Sequence, residues 1–212
     1  MQEPLRTITN FITLLEERQK DKLDSESRHY LDFIVGASTR LKALIQGLLH
    51  FSRIGKQHVI TPVDCNGVVN DVLADMDLII KESEAIIAAG KLPVIKTSKT
   101  EIHQLFQNLI ANAIQYRRPG FKPVIDIQAE RQPDNGWLFS VSDNGIGIDE
   151  AYKDRIFVIF QRLHNQKEYA GTGIGLSTCK KIVELNGGSI WMKSKLGAGS
   201  TFYFTFPKSA DV

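Results

Sequence analysis

Apolar side chains recur at helical intervals through the first fifty residues. Residues 2–19 show mostly helical spacing, and a polar stretch then interrupts the pattern. From Leu31 to Ser52, apolar and small residues recur in alternating steps of three and four, which is the spacing of a coiled-coil seam. The pattern predicts two helices joined by a short loop, an antiparallel hairpin. We expect two copies to pair as a four-helix bundle through residues 1–55. The alternative is that the apolar stripe packs on the rest of the same chain.

The pattern becomes mixed after Gly55. The stretch from Gly55 to Pro62 breaks the helical spacing, and we place a linker at 56–62. Beyond it, residues 63–208 are expected to form an α/β sandwich with one sheet and helices on one face, which makes the whole chain α+β. The predicted elements are helices at 64–80, 99–116 and from within 173–176 to 185, with strands at 84–88, 92–96, 124–131, 137–142, 189–194 and 200–206.

Composition and charge narrow the functional classes. The chain has 212 residues, 42% of them hydrophobic and 24% charged, as in soluble globular proteins. A net charge of +2 gives no strong field that would favour nucleic acid or an anionic membrane. No apolar run approaches the roughly 18 residues that span a bilayer, and no signal peptide is evident. Cys65 and Cys179 form neither a metal pattern nor a disulfide framework. We expect a cytoplasmic protein, or the cytoplasmic part of a longer one, without membrane contact.

Three short stretches carry candidate chemistry, and their order along the chain is informative. They are Gln107–Ala113 on a predicted helix, Asp143–Gly147 after a predicted strand, and Gly171–Leu176 at the start of another helix. Taken alone, each also fits a bland interpretation: a solvated helix face, a turn or a tight loop. Their combination changes the interpretation, because each can supply a different part of one nucleotide site.

The chemistry of each stretch fits a different part of ATP. A buried carboxylate at Asp143 can accept a hydrogen bond from an exocyclic amine such as that of adenine. Gly145 and Gly147 allow the backbone to approach a flat ring closely. The glycine loop at 171–175 leads into a helix N-terminus, which offers N–H groups to phosphates. Asn112 can place an amide oxygen on Mg²⁺.

These stretches resemble the N, G1 and G2 boxes of the sensor histidine kinases. Phe157–Leu163 resembles their F box, Gly197–Phe202 their last glycine box, and Gln2–Arg6 the segment that follows their phosphoacceptor histidine. The match covers nearly the whole chain in the right order and is similar to phytochrome-type and related multi-domain sensor kinases. The resemblance implies an ATP-binding domain of the GHKL type, with ATP and Mg²⁺ as cofactors.

The resemblance also implies site residues. Asn112 would bind the metal, and Tyr116 would lie beside the adenine. Arg162 and Lys167 could neutralise charge on the γ-phosphate, although either could instead be a solvated charge. Asn108 is assigned both to catalysis and to cofactor binding. The remaining cofactor-binding positions implied are Asp143, Gly145, Gly147, Ile148, Gly171, Thr172, Gly173, Gly175, Leu176 and Thr201.

Some positions depart from the family pattern or bear on the reaction. Asn108 stands where related ATPases carry a glutamate base, and an amide cannot accept a proton at neutral pH. This favours phosphoryl transfer to an imidazole over hydrolysis. Gln115 stands where Lys or Arg is usual, so a phosphate contact is lost or is replaced by Arg117 or Arg118. Glu3 stands where many members carry Thr or Asn, which puts phosphatase activity in doubt.

The acceptor histidine would lie two residues before Met1, because in the family it precedes the position of Gln2 by three. We interpret the sequence as a fragment cut just after the acceptor and therefore unable to phosphorylate itself; the alternative is a protein that lacks the histidine. The expected function is a sensor histidine kinase core that moves the γ-phosphate of ATP to a histidine. The phosphate would then pass to an aspartate on the receiver domain of a response regulator. The alternative is a nucleotide-binding dimeric scaffold without phosphotransfer.

Overall fold

The computed structural model describes residues 2–19, 24–56, 59–161, 163 and 172–207. The chain divides into two compact units, Met1–Arg53 and Ile54–Val212. The first unit contains helices α1 (Gln2–Gln19) and α2 (Ser25–Arg53). The second contains β1 (Thr61–Asp64), α3 (Cys65–Asp75), α4 (Asp77–Ser83), β2 (Ile86–Ala89), β3 (Val94–Thr97), α5 (Lys99–Gln115), β4 (Val124–Arg131), β5 (Trp137–Asp143), α6 (Gly175–Leu185), β6 (Ile190–Lys195) and β7 (Gly199–Phe206), with short 3₁₀ helices at Glu150–Tyr152 and Arg155–Phe157.

The two helices of the first unit pack against each other, as their apolar spacing predicts. Ile12 and Ser38 are buried, with 9% and 7% of their surface exposed. Much of the apolar stripe nevertheless faces outward, and Phe11 and Phe33 are each 68% exposed. The other exposed apolar side chains of this unit are Ile8, Leu14, Leu15, Tyr30, Ile34, Leu41, Leu48 and Leu49.

The second unit is built on a five-stranded sheet in the order β2-β4-β5-β7-β6. Strand β2 pairs parallel with β4, and every other pairing in this sheet is antiparallel. The prediction of a single sheet is wrong, because the described residues also form a two-stranded sheet in which β1 pairs antiparallel with β3. Strand β1 begins at Thr61, inside the stretch read from sequence as linker, and its short length left no clear alternation to detect.

The helix predicted at 64–80 is two helices. The side chain of Asp64 accepts a hydrogen bond from the N–H of Asn66 (3.0 Å) and so caps the start of α3. Met76, at φ −103° and ψ 11°, leaves helical geometry and separates α3 from α4. Apolar spacing continues across Met76, which is why the pattern alone could not reveal the break.

The core lies between one face of the large sheet and helices α5 and α6. Phe139 on β5 and Phe204 on β7 stack with ring centroids 5.0 Å apart, and Phe106 from α5 meets both rings edge-on at 6.1 and 5.9 Å. All three rings are fully buried. This packing fixes the last turn of α5 beside the ends of β5 and β7. The candidate site lies at that junction.

Candidate functional site

An open cleft of about 630 Å³ lies where α5 and β5 end. Six of the predicted site residues line it: Asn112, Tyr116, Asp143, Gly147, Ile148 and Leu176. The lining residues that sequence reasoning did not select are Ala113, Ile146, Ile156, Gln161, Leu163, Ser200 and Phe202.

Asp143 is the anchor of the cleft. It is the last residue of β5, and its Oδ1 accepts hydrogen bonds from the backbone N–H of Gly145 (2.8 Å) and of Ser200 (3.2 Å). Burial raises the pKa of this carboxyl above its ordinary value, while the two N–H donors act in the opposite direction. Two backbone donors on one oxygen hold the carboxylate in one orientation beside the cleft.

Glycine is required in the loop that follows Asp143. A Cβ on Gly145 would lie 2.5 Å from the Tyr116 carbonyl oxygen, which is closer than van der Waals contact allows. Gly147 adopts φ +72°, and a Cβ there would lie 2.1 Å from the carbonyl oxygen of Lys195. These close approaches seat the loop between the end of α5 and the turn that joins β6 to β7. From the sequence we assign both glycines to close approach to a flat ring, and that stays a prediction. The close approaches in the structure are to backbone atoms of the chain itself.

A serine pair supports the far side of this loop. The hydroxyl of Ser194 on β6 accepts a hydrogen bond from the N–H of Ile148 (2.7 Å). The same hydroxyl lies 2.9 Å from the carbonyl oxygen of Gly199 and 2.9 Å from the hydroxyl of Ser200. Ile148 and Ser200 both line the cleft, so Ser194 fixes two of its walls through one oxygen.

The two asparagines of α5 have different surroundings. Asn112 lines the cleft together with Ala113 and Tyr116, which share its face of the last helical turn. Asn108 lies one turn earlier and is not among the cleft residues. Its amide nitrogen donates to the carbonyl oxygen of Gly175 at 3.3 Å, which joins α5 to the first turn of α6. The predicted positions are therefore brought to one helix face, with only Asn112 at the cleft.

The glycine loop before α6 is described in part. Gly171, Arg162 and Lys167, which the sequence analysis selected, lie outside the described residues. Thr172 is half-buried, and Gly173, at φ +71°, accepts a hydrogen bond through its carbonyl from the N–H of Phe160 (3.0 Å). This bond ties the loop to the segment that resembles the F box.

Thr201 lies on the side of β7 that faces away from the cleft. Its hydroxyl is 3.0 Å from that of Ser142 on the neighbouring strand. The cleft residues on β7 are Ser200 and Phe202, which share one side of the strand, and Ser200 donates its N–H to Asp143. The alternation along β7 could have indicated Ser200 from the sequence, because residues two apart, here Ser200 and Phe202, share a face of a strand.

Two family models match the chain. Residues 97–210 match the model described as histidine kinase-, DNA gyrase B- and HSP90-like ATPase, and residues 1–57 match the His Kinase A (phospho-acceptor) domain. The chain is 45% identical over 208 residues to Cyanobacterial phytochrome A of Nostoc sp. and 44% identical over 209 residues to Phytochrome-like protein Cph1 of Synechocystis sp.. Each alignment covers 98% of this chain but only 27% and 28% of those relatives, so the chain spans little more than a quarter of their length.

A solved structure has the same arrangement of elements. Full-length ShkA in complex with AMPPNP matches with a TM-score of 0.69 and 27% identity, over 99% of this chain and 44% of that one. The α/β sandwich with this cleft is an ATPase domain of the GHKL type, and a helical domain precedes it in the sequence. The chain belongs to the histidine kinase-, DNA gyrase B- and HSP90-like ATPases, and its pair of domains is that of the sensor histidine kinases. The predicted fold class and family are thereby confirmed.

None of the helices in the described part of the chain has the length and apolar content that crossing a bilayer would require.

Proposed function

We propose that this chain is the catalytic core of a sensor histidine kinase that binds Mg-ATP in the cleft beside Asp143. The γ-phosphate would pass to a histidine, and from there to an aspartate of a response-regulator receiver domain. The observation that carries the proposal is the fixed carboxylate of Asp143, held by two backbone N–H donors at the wall of a mostly apolar cleft.

The cleft has the composition that an adenine ring needs. Ile146, Ile156 and Leu163 provide apolar walls, and Tyr116 adds an aromatic ring. Asp143 adds a directed acceptor, which suits the exocyclic amine of adenine. A mostly apolar cleft with few well-placed polar groups is typical of ligand sites in proteins.

The metal would depend on the nucleotide. In the described part of the chain, no three His, Cys, Asp or Glu side chains are grouped so that they could hold a metal ion. Asn112 offers one amide oxygen at the cleft. Mg²⁺ commonly binds proteins through one or two oxygen ligands while nucleotide phosphates and water complete its shell. The residues present therefore fit a magnesium ion that arrives with ATP.

Asn108 favours transfer over hydrolysis. An amide cannot take a proton from water, whereas an imidazole already carries a nucleophilic lone pair. Its bond to Gly175 supports a role in fixing the first turn of α6, the helix whose N-terminus would face the phosphates. Arg162 and Lys167 remain proposed contacts to the γ-phosphate.

The helical unit is proposed as the dimer interface and as the surface for the response regulator. Ten apolar side chains are exposed on the described parts of α1 and α2, which is more than an isolated unit in water would be expected to expose. Pairing two such units as a four-helix bundle would bury them. We keep residues 1–55 for this role, 56–62 as linker and 63–208 for ATP binding.

The test is phosphate transfer by the intact protein. Incubation with Mg²⁺ and ATP labelled at the γ-phosphate should give the protein label that acid removes and alkali does not. The variant Asp143→Asn should lose both label and ATP binding. Asp126→Asn, which alters a β4 carboxylate that binds Gln128, should keep both. ATP binding without label would favour the scaffold without phosphotransfer, and phosphate release without label would favour a hydrolase.

A further inference from the structure

Arg118 makes an unusual set of contacts next to the cleft. Its Nε donates to the carbonyl oxygen of Asn144 (2.9 Å), and one terminal nitrogen donates to the carbonyl oxygen of Gly197 (3.0 Å). The guanidinium also lies over the ring of Phe121, 4.3 Å from its centroid. One planar group thus joins three segments that are far apart in sequence.

The two carbonyl groups belong to segments that shape the cleft. Asn144 lies between Asp143 and Gly145, whose N–H fixes the Asp143 carboxylate. Gly197 donates its N–H to the Ile146 carbonyl (2.7 Å), and Ile146 donates its own N–H to the Tyr116 carbonyl (2.9 Å). Arg118 follows Tyr116 by two residues, so these bonds form a closed circuit that includes two residues of the cleft wall, Tyr116 and Ile146.

We propose that Arg118 is a positioning residue for the adenine end of the nucleotide site and does not bind phosphate. It holds the loop after Asp143 and the turn at Gly197 in register with the end of α5. This inference rests on the proposed binding of adenine nucleotides in the cleft. The sequence left open whether Arg118 replaces the phosphate contact that is lost at Gln115. This inference argues against it, because the guanidinium of Arg118 already donates to two backbone carbonyls.

The geometry demands arginine at this position. A guanidinium presents several N–H donors in a fixed plane, so one side chain can serve two carbonyls and also stack on a ring. Lysine keeps the charge but offers a single flexible ammonium group. Arg131 is a matched control, because its terminal nitrogen donates to Oδ1 of Asn135 (3.2 Å) and its guanidinium lies 5.6 Å from the centroid of the Trp137 ring. It lies at the opposite end of the β4–β5 pair from Asp143.

The experiment compares Arg118→Ala, Arg118→Lys and Arg131→Ala in the intact protein. Calorimetric titrations would measure binding of ATP, ADP, AMP and adenosine, with thermal melting to confirm that each variant is folded. We expect both Arg118 variants to bind all four ligands about tenfold more weakly, as for the loss of a hydrogen bond from a charged group. Arg131→Ala should bind like the wild type.

A pH profile adds a readout that loss of stability alone would not move. Affinity should fall in acid as Asp143 is protonated. In Arg118→Lys the side-chain charge is kept, so a shift of this acid limb to higher pH would report a loosened N–H of Gly145. That shift is the expected result.

Four results would overturn the proposal. Losses that grow with the number of phosphates would make Arg118 a phosphate ligand, and so would recovery of affinity in Arg118→Lys. Unchanged binding in both Arg118 variants would show that Arg118 does not position the nucleotide site. A wild-type protein that binds none of the four ligands would instead overturn the proposed function and this inference together. If Arg118→Ala does not fold, Arg118→Lys decides the question.

Discussion

Gly147 allows a sharp test of how the cleft loop is built. Its φ of +72° lies in the left-handed region, and a Cβ would lie 2.1 Å from the Lys195 carbonyl oxygen and 3.0 Å from the Leu196 Cα. Both neighbours are backbone atoms, so neither can swing away. The substitution Gly147→Ala should therefore cost stability through strain and through displacement of the loop.

A matched glycine separates the cost of the left-handed backbone from the cost of the forced contact. Gly120 has a similar φ of +78°, yet nothing lies within 4 Å of its Cβ position. Gly120→Ala should destabilise the protein by about 1–2 kcal/mol, which is the cost of left-handed backbone for a residue with a Cβ. Gly147→Ala should add about 1–3 kcal/mol for the forced contact, as other overpacking changes do. The difference between the two variants isolates the contact with the β6–β7 turn.

Urea unfolding followed by tryptophan fluorescence would measure these changes. Both tryptophans of the chain, Trp137 and Trp191, lie in the large sheet, so the signal reports on the unit that holds the cleft. ATP titrations would accompany the unfolding curves. Because Gly147 lines the cleft, Gly147→Ala should also weaken ATP binding. A loop that moves to relieve about 1.4 kcal/mol of strain must regain that strain to bind ATP, which weakens binding by about tenfold. Gly120→Ala should leave the affinity unchanged.

Equal destabilisation by the two alanines, with wild-type ATP affinity in both, would refute this reasoning. It would mean that the loop can move away from Lys195 at no cost, and that the close approach does not shape the cleft.

Three further predictions concern single groups. Asp143 accepts hydrogen bonds as a carboxylate, and burial raises its pKa, so ATP affinity should be full above that pKa and fall as the pH drops through it. The fall should come at a higher pH than for an ordinary carboxyl. Binding titrations across pH should show this fall, and Asp143→Asn should bind weakly at every pH. Burial raises the pKa of the Cys65 and Cys179 thiols to about 12, so a thiol reagent at pH 8 should label them only after urea unfolding, and rapid labelling of the folded protein would contradict their burial. Thr201→Val removes a hydroxyl that contacts Ser142 on the side away from the cleft, so ATP affinity by calorimetry should stay within about twofold of the wild type, and a larger loss would place Thr201 in the site.

Local patterns were sufficient for most of the elements. Strong alternation located β4 at 124–131, and helical spacing located α5 and both helices of the hairpin. The break at Met76 and the short strand β1 escaped because each is decided by pairing or capping over a few residues, where periodicity carries little information. The pairing of β1 with β3 depends on residues thirty or more positions apart.

The sequence alone determined the family, the order of the motifs and the types of residue available at the cleft. Asn112, Tyr116 and Asp143 could be selected because each motif has a fixed spacing that its helix or strand translates into a direction. Tertiary structure decided which of the selected residues meet. Strand pairing turned Thr201 away and brought Ser200 to Asp143, and close packing at the end of α5 committed Arg118 to two distant carbonyls. These outcomes depend on register and backbone approach between segments that are remote in sequence, which no local pattern encodes.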